Sequence, residues 1–351
     1  MSKIVYNRGC EERYPQAADL LEREFAEDGF AKGWAPHCKP VPQYYFDSHV
    51  HYSGGSENIR EHLYIPENLH VKRALCIFQV YGKNWEEHMK TTNIMDEMFT
   101  YFTFSELKEQ FGDFFRDNNS ENINKEGINK YFWAAYLNYQ SSEPELVHAA
   151  AAMNAKCIKL HNAPMIEANV PHDLWYSKEW QSCFEAIAEY KLPVLWHVTQ
   201  RLPSNIYTEN KRNVYWEKGW KNGVTYNNED MLQVFLTQCR RYPEINFIGA
   251  HQLHIGWERL DELFTAHHNL YVDTTIGCQL RLDDDFYTHD KEFLRAVFIK
   301  WADRIIFGTD TFGEYSEDAY RRHIKFITAL DLPQTALERI CYANIERLCR
   351  I

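Results

Sequence analysis

At 351 residues the chain is longer than an ordinary single domain, yet α/β barrels routinely reach this length as one unit, so one large domain is as good an expectation as two. Hydrophobic residues at 45% and charged residues at 25% exclude a disordered chain, and a 15% aromatic share fits a pocket lined with rings. A formal net charge of -12 excludes nucleic acid and an anionic membrane as expected partners, because both need clustered Lys and Arg.

The first residues, "MSKIVYNRGCEERYPQ", hold no apolar core of signal-peptide length. No run approaches the roughly 20 apolar residues that span a bilayer, which makes the cytoplasm the expected location. The nine cysteines include no Cys-x-x-Cys pair, so they read as reduced thiols packed as small core residues. Residues 1–43 form a candidate N-terminal arm. Leu20, Leu21, Phe25 and Phe30 recur near helical spacing among acidic residues until the prolines of "APHCKPVPQ" end the pattern. Its amphipathic character suggests a contact in a homodimer.

From residue 44 to 351, short apolar runs alternate with amphipathic segments. Strands are expected at 44–51, 73–82, 130–138, 155–161, 192–198, 245–251, 269–275 and 304–310. Helices are expected at "EPELVHAAAAMNA", "SKEWQSCFEAIAEYK", "NEDMLQVFLTQCRRYP", "GWERLDELFTAHH" and "EDAYRRHIKFITAL". Continuous apolar strands separated by helices call for a covered parallel sheet, and eight such units suit a (β/α)8 TIM barrel. A doubly wound open sheet is the alternative, but no strand is followed by a glycine-rich phosphate loop.

In a barrel the active site lies at the C-terminal ends of the strands. Those ends hold His49 and His51, Lys159 and His161, His197, His251, Asp273, and Asp310. Alternation along the first strand puts His49 and His51 on one side, with Asp47 expected beside them, so two imidazoles one pleat apart can grip one metal ion. A lone His-x-His is weak, since histidine pairs arise by chance in a chain with 16 histidines. The addition of His197, His251 and Asp310 at three further strand ends is stronger, because a buried polar group there is costly without a partner or a task.

Other residues carry competing readings. Lys159 suits a carbamylated bridging ligand, a charge for substrate or an ion pair, and Asp273 suits either a group orienting a ligand histidine or plain hydrogen bonding. His254 reads as a solvent-facing loop residue, and His148, His267, His268 and His323 read as surface or core histidines. Trp85, Trp175, Trp196, Trp216 and Trp220 suit pocket walls or packing. Arg201, Arg212 and Arg281 follow strands and suit a substrate carboxylate or exposed loops. Of these, Lys159, His161, Arg201 and Trp85 are the expected substrate contacts.

The ordered set "DSHVH", "IKLH", "VLWH", "FIGAH", "VDTT", "IIFGTD" and "ICYANIERLCR" resembles the amidohydrolase superfamily, in its amidohydrolase-2 branch, which also contains aminocarboxymuconate-semialdehyde and resorcylate decarboxylases. The resemblance covers about residues 44–351. It implies His49, His51, His197 and Asp310 as metal ligands, and His251 as the histidine that assists the activated water. The family often follows its sixth-strand histidine with glycines, whereas this chain reads "AHQLHIGWERL". Neither the N-terminal arm nor the aromatic segment from Arg201 to Tyr226 is explained by the motif.

The expected chemistry follows from the ion. A divalent cation, Zn²⁺ first and Mn²⁺ second, lowers the pKa of water from about 15.7 to about 7. His251 and Asp310 would then move protons in hydrolysis of a small-molecule amide, ester or lactone. The alternative is metal-dependent, non-oxidative decarboxylation of an aromatic or unsaturated carboxylic acid. A metal-free lactonase and a non-catalytic binding barrel complete the readings.

Overall fold

Strands β1 (Tyr45–His51), β2 (Val71–Val80), β4 (Tyr131–Leu137), β5 (Cys157–His161), β6 (Val194–His197), β7 (Phe247–Gly249), β8 (Leu270–Asp273) and β9 (Ile305–Ile306) run parallel in that order, with the short β3 (Tyr101–Phe102) beside β2. They come from a computed structural model that describes residues 41–52, 65–82, 100–116, 119, 122–123, 127, 129–200, 214–275, 291–312 and 316–351. After β9 the chain runs on into β10 (Thr311–Phe312), which pairs with β1 and so returns the sheet to its start. Between these two pieces the Ser48 N–H donates to Phe307 O at 3.0 Å and the Asp310 N–H donates to His49 O at 2.8 Å. The eighth strand position is therefore shared by β9, β10 and the residues between, and the (β/α)8 expectation is borne out.

Strand parity divides the apolar residues into two cores. Leu75, Ile77, Ala134, Tyr136, Leu195, Ile248, Tyr271 and Ile306 form one cluster inside the barrel, joined by Ile345, Leu348 and Cys349 of the last helix, α11 (Asn344–Cys349). The alternate residues, including Cys76, Phe78, Ile158, Leu160, Val194, Trp196 and Val272, belong to the larger cluster under the helices. Two-sided burial explains why these strands read as unbroken apolar runs.

The five expected helices all form. In chain order the helices before α11 are α1 (Phe104–Phe111), α2 (Pro144–Ala152), α3 (Ala163–Glu167), α4 (Lys178–Tyr190), α5 (Val214–Lys221), α6 (Asn228–Arg241), α7 (Trp257–Ala266), α8 (Lys291–Lys300), α9 (Ser316–Ala329) and α10 (Gln334–Glu338). Helix α4 shows the logic: Ser177 caps it through the Trp180 amide, and Trp180, Cys183, Phe184 and Ile187 form the buried stripe. That stripe and Trp175 pack on Trp196 of β6, with ring centroids of Trp175 and Trp196 4.9 Å apart. Trp175, Trp196 and Trp216 are thus core residues, and Trp220 stacks on Trp216. The six described cysteines are buried free thiols. Among the described residues no helix is long and apolar enough to cross a membrane. Residues 1–40 of the expected arm lie outside the described residues, as do Trp85, Arg201, Arg212 and Arg281.

Candidate active site

The mouth of the barrel gathers the polar strand ends, and β1 delivers the first pair. The β1 to β2 register shifts between Asp47 and Val50, so parity is broken just before the histidines. Asp47 therefore does not share their side, contrary to expectation. It accepts hydrogen bonds from the His49 amide at 3.0 Å, the Thr309 amide at 3.0 Å and the Thr309 hydroxyl, and burial raises its pKa to about 6. Beyond the shift, His49 and His51 face inward together, as predicted, with Nε2 atoms 3.2 Å apart.

Asp310 meets them from the eighth position. Its φ of 60° is left-handed, an uncommon state for a residue other than glycine, and its backbone is pinned by the amide bond to His49 O. Asp310 Oδ1 lies 3.2 Å from both His49 Nε2 and His51 Nε2. The ligand atoms of His49, His51 and Asp310 all fall within 4.8 Å of one another. Burial opposes the Asp310 charge, but the surrounding His49, His51 and His251 hold its carboxyl well below the usual range.

Two further residues shape this group. Asp273, at the end of β8, lies 2.8 Å from His49 Nδ1 through Oδ2, so Nδ1 carries the hydrogen and Nε2 keeps its lone pair. Asp273 is buried, yet its contact with His49 brings its pKa down to about 2. Lys159 Nζ stands 3.1 Å from His49 Nε2, and burial lowers its pKa to about 8 against the pull of Asp310 and Asp273. Two carboxyl groups, Asp273 and Asp310, and one amine, Lys159, thus surround His49.

His161 and His197 are directly paired across β5 and β6, with ring centroids 4.1 Å apart. The Ala163 amide donates to His161 Nδ1 at 2.9 Å, so the neutral ring carries its hydrogen on Nε2. His197 is outside the His49, His51 and Asp310 group, although its ring centroid is 4.3 Å from that of His251 and its buried Nε2 has no hydrogen-bond partner among the described residues. Burial holds both rings neutral, well below the usual histidine range.

The strand expected to end at His251 stops at Gly249 instead, and His251, Gln252, Leu253 and His254 make a left-handed turn with φ between 51° and 56°. Gly249 is required beneath it: a Cβ there would meet the Leu253 side chain at 2.5 Å. The turn carries His251 to within 3.8 Å of Asp310 Oδ2 and stacks His254 on it at 5.1 Å. His254 is buried, not solvent-facing, and its Nδ1 lies 3.0 Å from Thr199 O. Burial lowers the His251 pKa to about 3 and that of His51 to about 4.

Sequence reasoning passed over Thr275, Gln252 and Tyr215. Thr275 shares the face of Asp273 two residues earlier, a signal that period-two reading contains. Gln252 Nε2 donates to Asp273 O at 2.7 Å and Thr275 O at 2.8 Å. Tyr215, on α5, sets its ring 6.3 Å from that of His161, and burial raises its pKa to about 12. Nothing in local sequence links α5 to this mouth.

These features place a set of metal-ligating side chains at the mouth of a parallel barrel, the arrangement of a barrel enzyme, and the sequence comparison agrees with an enzyme. The model of the amidohydrolase family matches residues 122–351, and the chain belongs to that family of enzymes. No curated protein matches it by sequence. By structure it is similar to 5-carboxyvanillate decarboxylase from Sphingomonas paucimobilis, at 12% identity and a TM-score of 0.51 over 88% of this chain and 99% of that one. It is also similar to dihydroorotase from Campylobacter jejuni, at 12% identity and a TM-score of 0.50 over 90% of this chain and 85% of that one. At such identities the likeness concerns the fold alone.

Enzymes of this superfamily use a divalent metal, and the residues present fit one. Two ring nitrogens and a carboxylate oxygen about 3.2 Å apart turn lone pairs toward one point, where they repel unless a proton or cation lies between. Among the described residues the buried Nε2 atoms of His197 and His251 have no hydrogen-bond partner.

Proposed function

We propose that the protein is a metal-dependent hydrolase of a small-molecule amide, ester or lactone. The observation that carries this reading is the convergence of His49, His51 and Asp310 on one point beside His251. His49, His51, Asp310 and His197 would hold the cation, with Zn²⁺ ahead of Mn²⁺ for an imidazole-rich donor set. When bound, such an ion supplies Lewis-acid polarisation of a substrate oxygen and acidifies water. Asp273 keeps the His49 lone pair directed inward. His251 Nε2 takes a proton and later returns it, with Asp310 Oδ2 beside it as the second acceptor. His161 donates its Nε2 hydrogen to a substrate oxygen. Lys159, buried beside the His49 ring, would supply a positive charge for a substrate anion.

A second reading is decarboxylation of an aromatic or unsaturated carboxylic acid, the type of reaction named for the Sphingomonas structure. The position of His251 beside Asp310 favours hydrolysis, since both groups serve proton transfer to and from water.

Elemental analysis of gently purified protein tests the metal. About one transition metal per chain is expected, and His197→Ala should lose both metal and turnover. Protein that holds no metal and takes up neither Zn²⁺ nor Mn²⁺ would refute the reading. Screening esters, lactones and aromatic carboxylates then separates the reactions, because only the lyase releases CO₂ without consuming water.

A further inference from the structure

The position of one hydrogen on His251 follows from counting donors around Thr275. Thr275 Oγ1 has a single hydrogen and three neighbours: Asp273 Oδ1 at 2.6 Å, His251 Nδ1 at 2.9 Å and the His251 amide nitrogen at 3.2 Å. The amide can only donate. Asp273 also receives the His251 amide at 2.8 Å and the His49 ring at 2.8 Å, the surroundings of an ionised carboxylate, which can only accept.

The Thr275 hydrogen therefore goes to Asp273, since a 2.6 Å contact between two oxygens without a hydrogen would oppose lone pairs. Thr275 Oγ1 is left with lone pairs only, so the hydrogen in its contact with His251 belongs to Nδ1. A neutral His251 then presents a bare Nε2 toward Asp310 Oδ2, 3.8 Å away, and that buried nitrogen has no hydrogen-bond partner among the described residues.

We propose that Thr275 is a positioning residue that relays Asp273 to His251, fixes the Nδ1–H tautomer and so keeps His251 Nε2 as the proton acceptor of the site. One carboxylate thereby sets two imidazoles, His49 directly and His251 through a hydroxyl. Threonine suits the task because its branched side chain has few rotamers on a strand end. The use of that acceptor in catalysis rests on the function proposed above, whereas the tautomer does not.

The test is the ring ¹⁵N spectrum of full-length protein labelled at histidine, recorded as purified and with added Zn²⁺, with His251 assigned by His251→Gln. His251 should show a pyrrole-type Nδ1 and a pyridine-type Nε2. Thr275→Val, which keeps the shape without the hydroxyl, should shift His251 away from that tautomer, and Thr275→Ser should restore it. On any substrate that is turned over, Thr275→Val should lower kcat about 10- to 100-fold with KM little changed, the usual scale for a group that orients another. A wild-type His251 protonated at Nε2 overturns the proposal without any variant, and so does an unchanged tautomer in folded Thr275→Val. The expected tautomers in protein that binds no metal would support the relay while removing the metal reading, so the two failures are distinct.

Discussion

His161 shows how one backbone contact decides a side chain's role. Because the Ala163 amide must donate to Nδ1, the ring can offer only a hydrogen at Nε2, the opposite of His49. The expected contact with substrate thus becomes specific: His161 should meet an oxygen of the substrate, not a donor. A hydrogen bond to a charged oxygen contributes about 1.5–3 kcal/mol, so His161→Phe should lower kcat/KM for an anionic substrate by about 10- to 100-fold. The Ala163 amide also loses its acceptor, a cost to stability of about 1 kcal/mol that a denaturant titration would read separately. Unchanged kcat/KM in folded His161→Phe would remove the residue from the substrate contacts.

At the scale of elements, the left-handed turn after β7 is where this chain departs most from expectation. Four consecutive residues other than glycine sit at positive φ, each at a cost of about 1–2 kcal/mol. The offsets are visible: both Gln252 bonds to β8 and its extension, the His251 amide on Asp273, and the Thr199 hydroxyl on Leu253 O. Gln252→Ala should therefore destabilise the protein by about 2–4 kcal/mol and lower turnover through a displaced His251. A loss under about 0.5 kcal/mol in urea would show that the turn is held by other means.

The turn also marks the limit of sequence reading. Apolar runs, helical spacing and period two made the eight strands, the five helices and the inward side of His49 and His51 legible. They could not show that Asp47 lies across a register shift, because a bulge breaks parity without changing the residue pattern. Nor could they show that "AHQLH" leaves the strand at Gly249, since only the approach of Leu253 makes that glycine necessary. His254 was misplaced for the same reason: the turn folds it back over His251, where an extended loop would have led it into solvent.

For the whole molecule, the buried histidines make acid the chief threat to stability. Burial lowers the pKa of His51 to about 4, of His251 to about 3 and of His323 to about 4, and pushes His161 and His197 well below their usual value. In the unfolded chain each titrates near 6.5. Below that pH the unfolded state binds protons that the folded state refuses, so the contribution of these histidines is full above about 6.5 and falls as pH drops toward the folded values. Each histidine adds up to about 1.4 kcal/mol per pH unit to the slope. Asp47 works the other way. With its pKa raised to about 6, its stabilising contribution is present at low pH and lost as pH rises through that value, which offsets about one proton of the total. The net expectation is a steep fall in unfolding free energy between about pH 6.5 and 4.5, measured by urea denaturation with chelator present so that metal loss does not add to it. His323 provides the cleanest check, since it lies on α9 with its Nδ1 on Ala319 O and its removal leaves the proposed ligands in place. His323→Leu should reduce the acid slope by about one proton while leaving metal content unchanged. A flat stability across this range would mean that these imidazoles accept protons in the folded state, and the histidine cluster would then be far better hydrated than its burial implies.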